Sequence, residues 1–423
     1  MTARVAVTGM GIVSSIGEGV DEFAMSLADG KSGIGSIASD GARSPLSIGA
    51  ELRGFSFDQS VRRLSSYPNE FIERATRCAN RAPSIVQTAI VAAMQAWRAA
   101  ALDERACAGD HIGIVVAGSN LADKYQYDWI DRFRSNPEYL LPSFALQFMD
   151  TNVVGVLSEL FAIHGEGFTV GGASASGGVA LVKASQMIAQ GIADVCVVVG
   201  VHADLSPMAV QGFINIGAMG GKSFKDNPAK ACRPFDRAHE GFIYGQATGC
   251  IVLESLASAE RRGVKPVAEI VGATMALDGN RLSNPNIDGE ARVMAGALAQ
   301  ARLKPEDVAY LNTHGSSSPL GDQTEIQAIK RVFAQNLSTL WLNSTKALTG
   351  HCLFSAGVIE TIATVIQMNK GFVHPNINLD DPIDTGCRFS GAAADDADIE
   401  VAMSNSFGFG GINTSIVMKQ IGA

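Results

Sequence analysis

"TVGGASASGGVALVKASQMIAQGIADVCVVVGV", residues 169–201, holds a short apolar run, a string of small residues, an amphipathic stretch and a Val-rich run. The apolar residues of "VALVKASQMIAQG" recur at helical spacing, and Gly191 stands where a helix ends. "DVCVVVGV" is continuously apolar and β-branched, the pattern of a strand buried on both faces. A strand covered on both sides by helices belongs to an α/β layered fold. Between the apolar run and the helix stand only Gly, Ala and Ser. Such a turn can present one side chain at a helix N-terminus, and Gly172-Ala173-Ser174-Ala175-Ser176 narrowly misses the Gly-x-Ser-x-Gly nucleophile elbow. Small residues would equally serve close packing of helix on sheet, so the stretch by itself leaves its chemistry open.

Working outward, the same grammar fills the chain. "RVAVTGMGIV" reads as a strand, "GVDEFAMSLADG" as a helix ending at Gly30, "IVQTAIVAAMQAWRAAAL" as a long helix and "IGIVVAG" as a strand. It restarts near residue 266 with "PVAEIVGATM", "EARVMAGALAQARL" and "VAYLNTHG". Two halves with the same element order are expected, 1–258 and 259–423, packed together because no low-complexity linker separates them. Residues 118–150, rich in aromatics and charges, read as an excursion suited to an interface.

The 423 residues carry 47% hydrophobic and 18% charged side chains, a composition that buries a large core. A net charge of −9 disfavours nucleic acid as a partner. No run reaches the roughly 18 apolar residues of a membrane span, and the N-terminus is a poor signal peptide, so a cytoplasmic protein is expected. The seven cysteines are scattered without a CxxC pair, which supports neither a disulfide framework nor a metal site.

Four further segments could carry chemistry. "GMGIVSSIG" follows a strand but lacks the glycine spacing and acidic partner of a dinucleotide fingerprint; a glycine turn between strand and helix is expected instead. "NTHGSSSPLGDQTE" (312–325) places His314 in a loop, where it could handle a proton, donate an N–H or merely cap. "NSTKALTGHCLFSAGVIE" (343–360) brackets a turn with Lys346 and His351, and Glu360 could pair with Lys346. "SNSFGFGGINTSIV" (404–417) sets two Phe among glycines between strand signals, as a gate or as a plain hairpin.

Taken in this order, and with "VAVTGMGIVSSIG" and "CRPFDRAHEGFIYGQATGCIVLESLASAERRG" (232–263), the chain resembles the β-ketoacyl-(acyl carrier protein) synthases along essentially its whole length. The resemblance implies a thiolase-like fold of two pseudo-symmetric halves in a layered α-β-α-β-α arrangement, a homodimer and a Cys–His–His site. His314 and His351 match its histidines, Lys346 its lysine, Glu360 the lysine's acidic partner and Phe407 the gating aromatic. The family's T-A-C-(S/A)-S-G run reads "GASASG" here, so Ser174 stands at the nucleophile position. Ser316 and Ser318 take the threonine positions of its HGTGT-type run, where a phosphopantetheine arm would bind. Arg62 and Arg63 in "SVRRLSS" fall in the region used for carrier docking.

Serine at that position changes the expected reaction. A cysteine thiol of pKa about 8.5 can be tuned to a thiolate; a serine hydroxyl needs an adjacent base, and the resemblance offers none well aimed. Loss of CO₂ from a malonyl thioester needs no nucleophile, only neutral histidines that stabilise the enolate oxygen. The expectation is therefore a decarboxylase converting malonyl-carrier to acetyl-carrier, like the Cys-to-Ser members that serve polyketide β-branching beside a hydroxymethylglutaryl-synthase-like enzyme. It would need no cofactor of its own, its substrate riding on the carrier's phosphopantetheine. The alternatives are a non-catalytic partner subunit resembling a chain-length factor, and a Ser174-dependent acyltransferase or hydrolase.

Overall fold

A computed structural model describes residues 3–37, 45–105 and 107–422. Its ten principal strands are β1 (Val5–Ser14), β2 (Ile112–Ala117), β3 (Gly167–Val170), β4 (Val195–Gly200), β5 (Ala247–Ser255), β6 (Ala268–Leu277), β7 (Tyr310–Asn312), β8 (Trp341–Asn343), β9 (Val401–Gly408) and β10 (Ile412–Lys419). The first five are ordered β3-β2-β4-β5-β1 and the last five β8-β7-β9-β10-β6. Numbered within each half, both orders read 3-2-4-5-1. In each, the fifth strand runs antiparallel to both its neighbours, while the second pairs in parallel with the third and fourth. A short antiparallel contact, Val5–Val7 against Ala268–Ile270, joins the halves.

Five helices complete the layers: α1 (Ser84–Ala99), α2 (Ser176–Ala189), α3 (Ile287–Ala301), α4 (Pro319–Phe333) and α5 (Ala356–Lys370). α1 covers β1 and β5 from outside, and α3 covers β6 and β10. α2 and α5 each touch strands of both halves and so form the middle layer. The continuous Val and Ile runs of β2, β4 and β5 follow from this, since both faces of these strands are buried. The thiolase-like α/β layering expected from the sequence is the architecture found.

Two local readings change. Of the glycines of "GMGIVSSIG" only Gly17 closes a turn, paired with Ser14 after β1; Gly9 and Gly11 lie inside β1. A Cβ on either would stand 2.1 Å from a carbonyl oxygen of α1, so their absence lets that helix lie directly on the strand. α2 begins at Ser176 rather than at the first periodic residue, Val179, and takes Gly177 and Gly178 into its first turn.

Candidate active site

Close packing explains those two glycines, Gly178 lying against Thr414 of β10 and Gly177 against α5, and builds the site. A Cβ on Gly177 would stand 2.7 Å from Val358 N, and one on Gly357 2.5 Å from Gly178 N. The starts of α2 and α5 thus meet backbone to backbone. Each is preceded by a tight turn opened by a residue in the left-handed region, Ala173 at φ +48° and Leu353 at φ +50°. That conformation costs a residue bearing a Cβ about 1 kcal/mol. Ser176 holds the first turn: its Oγ donates to Ala173 O at 2.7 Å and accepts the Gly172 N–H at 2.9 Å. One serine of the motif therefore fastens the turn, and the other, Ser174, faces a cavity.

The paired turns bring His351 Nε2 within 2.9 Å of Ser174 Oγ. His351 Nδ1 accepts the Leu353 N–H at 3.2 Å. A neutral imidazole whose Nδ1 lone pair is occupied carries its proton on Nε2. His351 therefore donates to Ser174 and has no lone pair to deprotonate it. Burial, and then the charge of Lys346, hold His351 well below the usual histidine range, so it stays neutral. The sequence suggested that no base would be well aimed at Ser174; a histidine is well aimed, in the donor tautomer.

His314 follows β7. Glu325 of α4 accepts the His314 N–H at 2.8 Å and the Gly315 N–H at 2.7 Å. Lys346 Nζ donates to His314 O at 2.6 Å and pairs with Glu360. Lys346 and Glu360 are only 1% and 2% exposed, so this pair serves the loop rather than a solvated surface. Burial, Lys346 and His351 together push the His314 pKa well down. Burial raises Glu325 and Glu360 to about 7, against the backbone N–H groups on one and Lys346 on the other. The His314 and His351 rings meet edge-on at 5.6 Å, and Phe407 lies 5.6 Å from His314.

Ser174, His314, His351, Ser316, Ser318 and Phe407 all line one cavity of about 390 Å³. Ser316 Oγ donates to Ser318 Oγ at 3.1 Å. Phe213, Phe242 and Phe354 supply apolar wall, while Asp278, Glu290 and Asn413 supply polar wall. Lys346 and Glu360 stand behind His314 and are not part of the lining. Arg62 and Arg63 are exposed on the short helix Phe57–Arg63 and line no part of the cavity; Arg63 lies 3.8 Å from Glu18. Among the described residues no cysteine lines the cavity, and burial pushes the Cys232 and Cys352 thiols up to about 12. Among the same residues no cluster of His, Cys, Asp and Glu could hold a metal ion, and no helix is long and apolar enough to cross a membrane.

The sequence reading missed Glu325, Phe242 and Glu290. Glu325 closes the quoted 312–325 segment, but an acid eleven residues after His314 gains a role only when α4 folds back under the loop. Glu290 has the signature of an ordinary first-turn helix acid.

Comparison with known proteins agrees with this geometry. Residues 2–259 match the Beta-ketoacyl synthase N-terminal domain and residues 267–380 the Beta-ketoacyl synthase C-terminal domain. A polyketide biosynthesis malonyl-ACP decarboxylase, PksF of Bacillus subtilis, is 38% identical over 99% of this chain and 97% of its own. A 3-oxoacyl-[acyl-carrier-protein] synthase 2 of Coxiella burnetii is 31% identical over 99% of each chain. A β-ketoacyl synthase from Burkholderia phymatum superposes with a TM-score of 0.86 at 27% identity, covering 99% of this chain and 100% of the other. A type II polyketide ketosynthase solved with its acyl carrier protein gives 0.85 at 25% identity over the full length of both. With two domains matched in order around one cavity, the chain belongs to the β-ketoacyl synthase family.

Proposed function

We propose that the protein is a malonyl-ACP decarboxylase, converting malonyl-ACP to acetyl-ACP without condensation. The observation that carries this reading is the Leu353 N–H on His351 Nδ1, which leaves the ring proton on Nε2, facing Ser174. Ser174 stands where the family resemblance implies a cysteine nucleophile, and the histidine in contact with it gives it a hydrogen bond instead of taking its proton. Acyl transfer to Ser174 therefore lacks a base. Decarboxylation uses the residues as they stand.

The phosphopantetheine arm enters past Ser316, Ser318 and Phe407, and the malonyl thioester lies beside Ser174. With substrate bound, the neutral His351 N–H shifts from Ser174 Oγ to the thioester oxygen and the neutral His314 ring donates there too, as that oxygen gains charge while the C–C bond to the carboxylate breaks. Neutral donors in a buried site stabilise that enolate without reorganising. CO₂ leaves, and protonation of the enolate carbon gives acetyl. The name of the Bacillus relative supports the same reaction. The protein is proposed to act as a homodimer and to pass acetyl-carrier to a hydroxymethylglutaryl-synthase-like enzyme of polyketide β-branching. The excursion carrying exposed Phe133, Tyr139 and Leu146 offers apolar surface for the second copy.

Intact-mass measurement of malonyl-carrier incubated with the protein tests the reaction. Loss of the mass of CO₂ from the carrier is the expected result. His314→Ala and His351→Ala should each slow it by about 10²–10³-fold. An unchanged carrier mass, or acyl transfer to the protein, would overturn the reading.

A further inference from the structure

Part of the cavity wall is made of acid. Glu290 lies in the first turn of α3 and lines the same cavity as Ser174, His314 and His351. Its side chain is 1% exposed, and its Oε2 is buried with no hydrogen-bond partner. A helix start normally offers N–H groups to a carboxylate. Here Asn286 Oδ1 takes those of Asp288 and Gly289, at 2.8 and 3.2 Å.

The charged groups facing Glu290 are carboxyls, Glu325 from α4 and Asp278 from the loop just after β6. Each of these has its own donors: Asn413 Nδ2 reaches Asp278 at 2.7 Å, and Glu325 takes the His314 and Gly315 N–H groups. Among the described residues no cation offsets them at Glu290. Burial, then Glu325, then Asp278 raise its pKa well above the ordinary value. Burial beside other carboxyls favours the protonated form of such a group.

Decarboxylation leaves a product short of one proton. On the decarboxylase reading, we propose that Glu290 is the proton donor of the last step. The electron pair of the broken C–C bond passes into the enolate, CO₂ departs, and the enolate carbon takes the Glu290 proton directly or across one water. The resulting carboxylate is reprotonated from water. The net change is malonyl thioester plus one proton to acetyl thioester plus CO₂.

The same group must work in reverse. Wild-type protein with acetyl-carrier in D₂O should exchange the methyl protons, read as added mass, with a rate that rises with pH as Glu290 ionises. Glu290→Gln, which keeps shape but cannot hold the proton, should lose exchange by about 10²-fold or more and lose that pH dependence. Glu290→Asp should restore part of it. CO₂ release from malonyl-carrier should fall far less in Glu290→Gln than exchange does. Exchange absent from wild type, or equal in wild type and Glu290→Gln, overturns the proposal, as does an equal loss of exchange and CO₂ release in a variant that still unfolds cooperatively. Failure of the wild type to release CO₂ at all overturns the decarboxylase reading instead.

Discussion

At Ser174 one hydrogen bond decides between two chemistries. Because His351 Nε2–H donates to Ser174 Oγ, the serine hydroxyl keeps its own proton and is free to donate into the cavity. On the proposed function, a hydroxyl in this state places the substrate and does not attack it. Ser174→Ala should therefore retain substantial decarboxylation, and no stoichiometric ester should form on Ser174 in the native protein. Ser174→Cys tests the position from the other side. Its sulfur would sit at the start of a 14-residue helix, beside a histidine N–H, and both features lower a thiol pKa. The new thiol should react with iodoacetamide at neutral pH, whereas Cys232 and Cys352, buried and pushed up to about 12, should not. If the introduced thiol stays inert in a folded Ser174→Cys variant, the turn does not create a nucleophile position.

Single elements acquire roles that their sequences do not announce. α4 reads as an ordinary amphipathic helix, yet Glu325 on it fixes the His314 loop through two backbone N–H groups. Its carboxyl sits at about 7 in the folded protein, above the ordinary 4.5. Between those values the folded state holds a proton that the unfolded chain has released, so stability falls as pH rises through the window. Glu325→Gln should flatten that fall, leaving the similar slope that Glu360 contributes. It should also cost about 1–3 kcal/mol, because the amide NH₂ of glutamine cannot accept, so one of the two backbone N–H groups of the loop loses its acceptor. Thermal unfolding between pH 5 and 8 reads both effects, and an unaltered slope would refute the assignment. The strands and long helices were legible because period and burial agree in them: β4 is apolar throughout and buried throughout. The first turn of α2 was not, since glycine argues against helix until Gly357 and Val358 are known to press on it. Ser174, His314 and His351 were legible through family resemblance; the His351 tautomer was not, since it depends on an N–H two residues away in a turn opened by a left-handed leucine.

Across the whole molecule, a repeated strand order puts two helix starts face to face, and the site lies where they meet. Ser174 comes from one half, both histidines from the other, and neither half has a site alone. The molecule is acidic, at −9, so on the proposed function an acidic carrier would approach it against that charge. Local cations are then required at the docking face. Arg62 and Arg63, exposed and outside the cavity, are the proposed pair. Reversing both, Arg62→Glu with Arg63→Glu, removes two positive charges from that face and adds two negative ones, while every cavity contact stays in place. The apparent KM for malonyl-carrier should rise several-fold, and more steeply at low salt, where surface charges are least screened. Turnover of malonyl-pantetheine, which carries no protein charge, should stay unchanged. The bridge from Arg63 to Glu18 at 3.8 Å is long and exposed on the arginine side, so its loss should cost little stability. Equal losses with both substrates would mean that the arginines support the fold, and the carrier would then have to dock elsewhere on the rim.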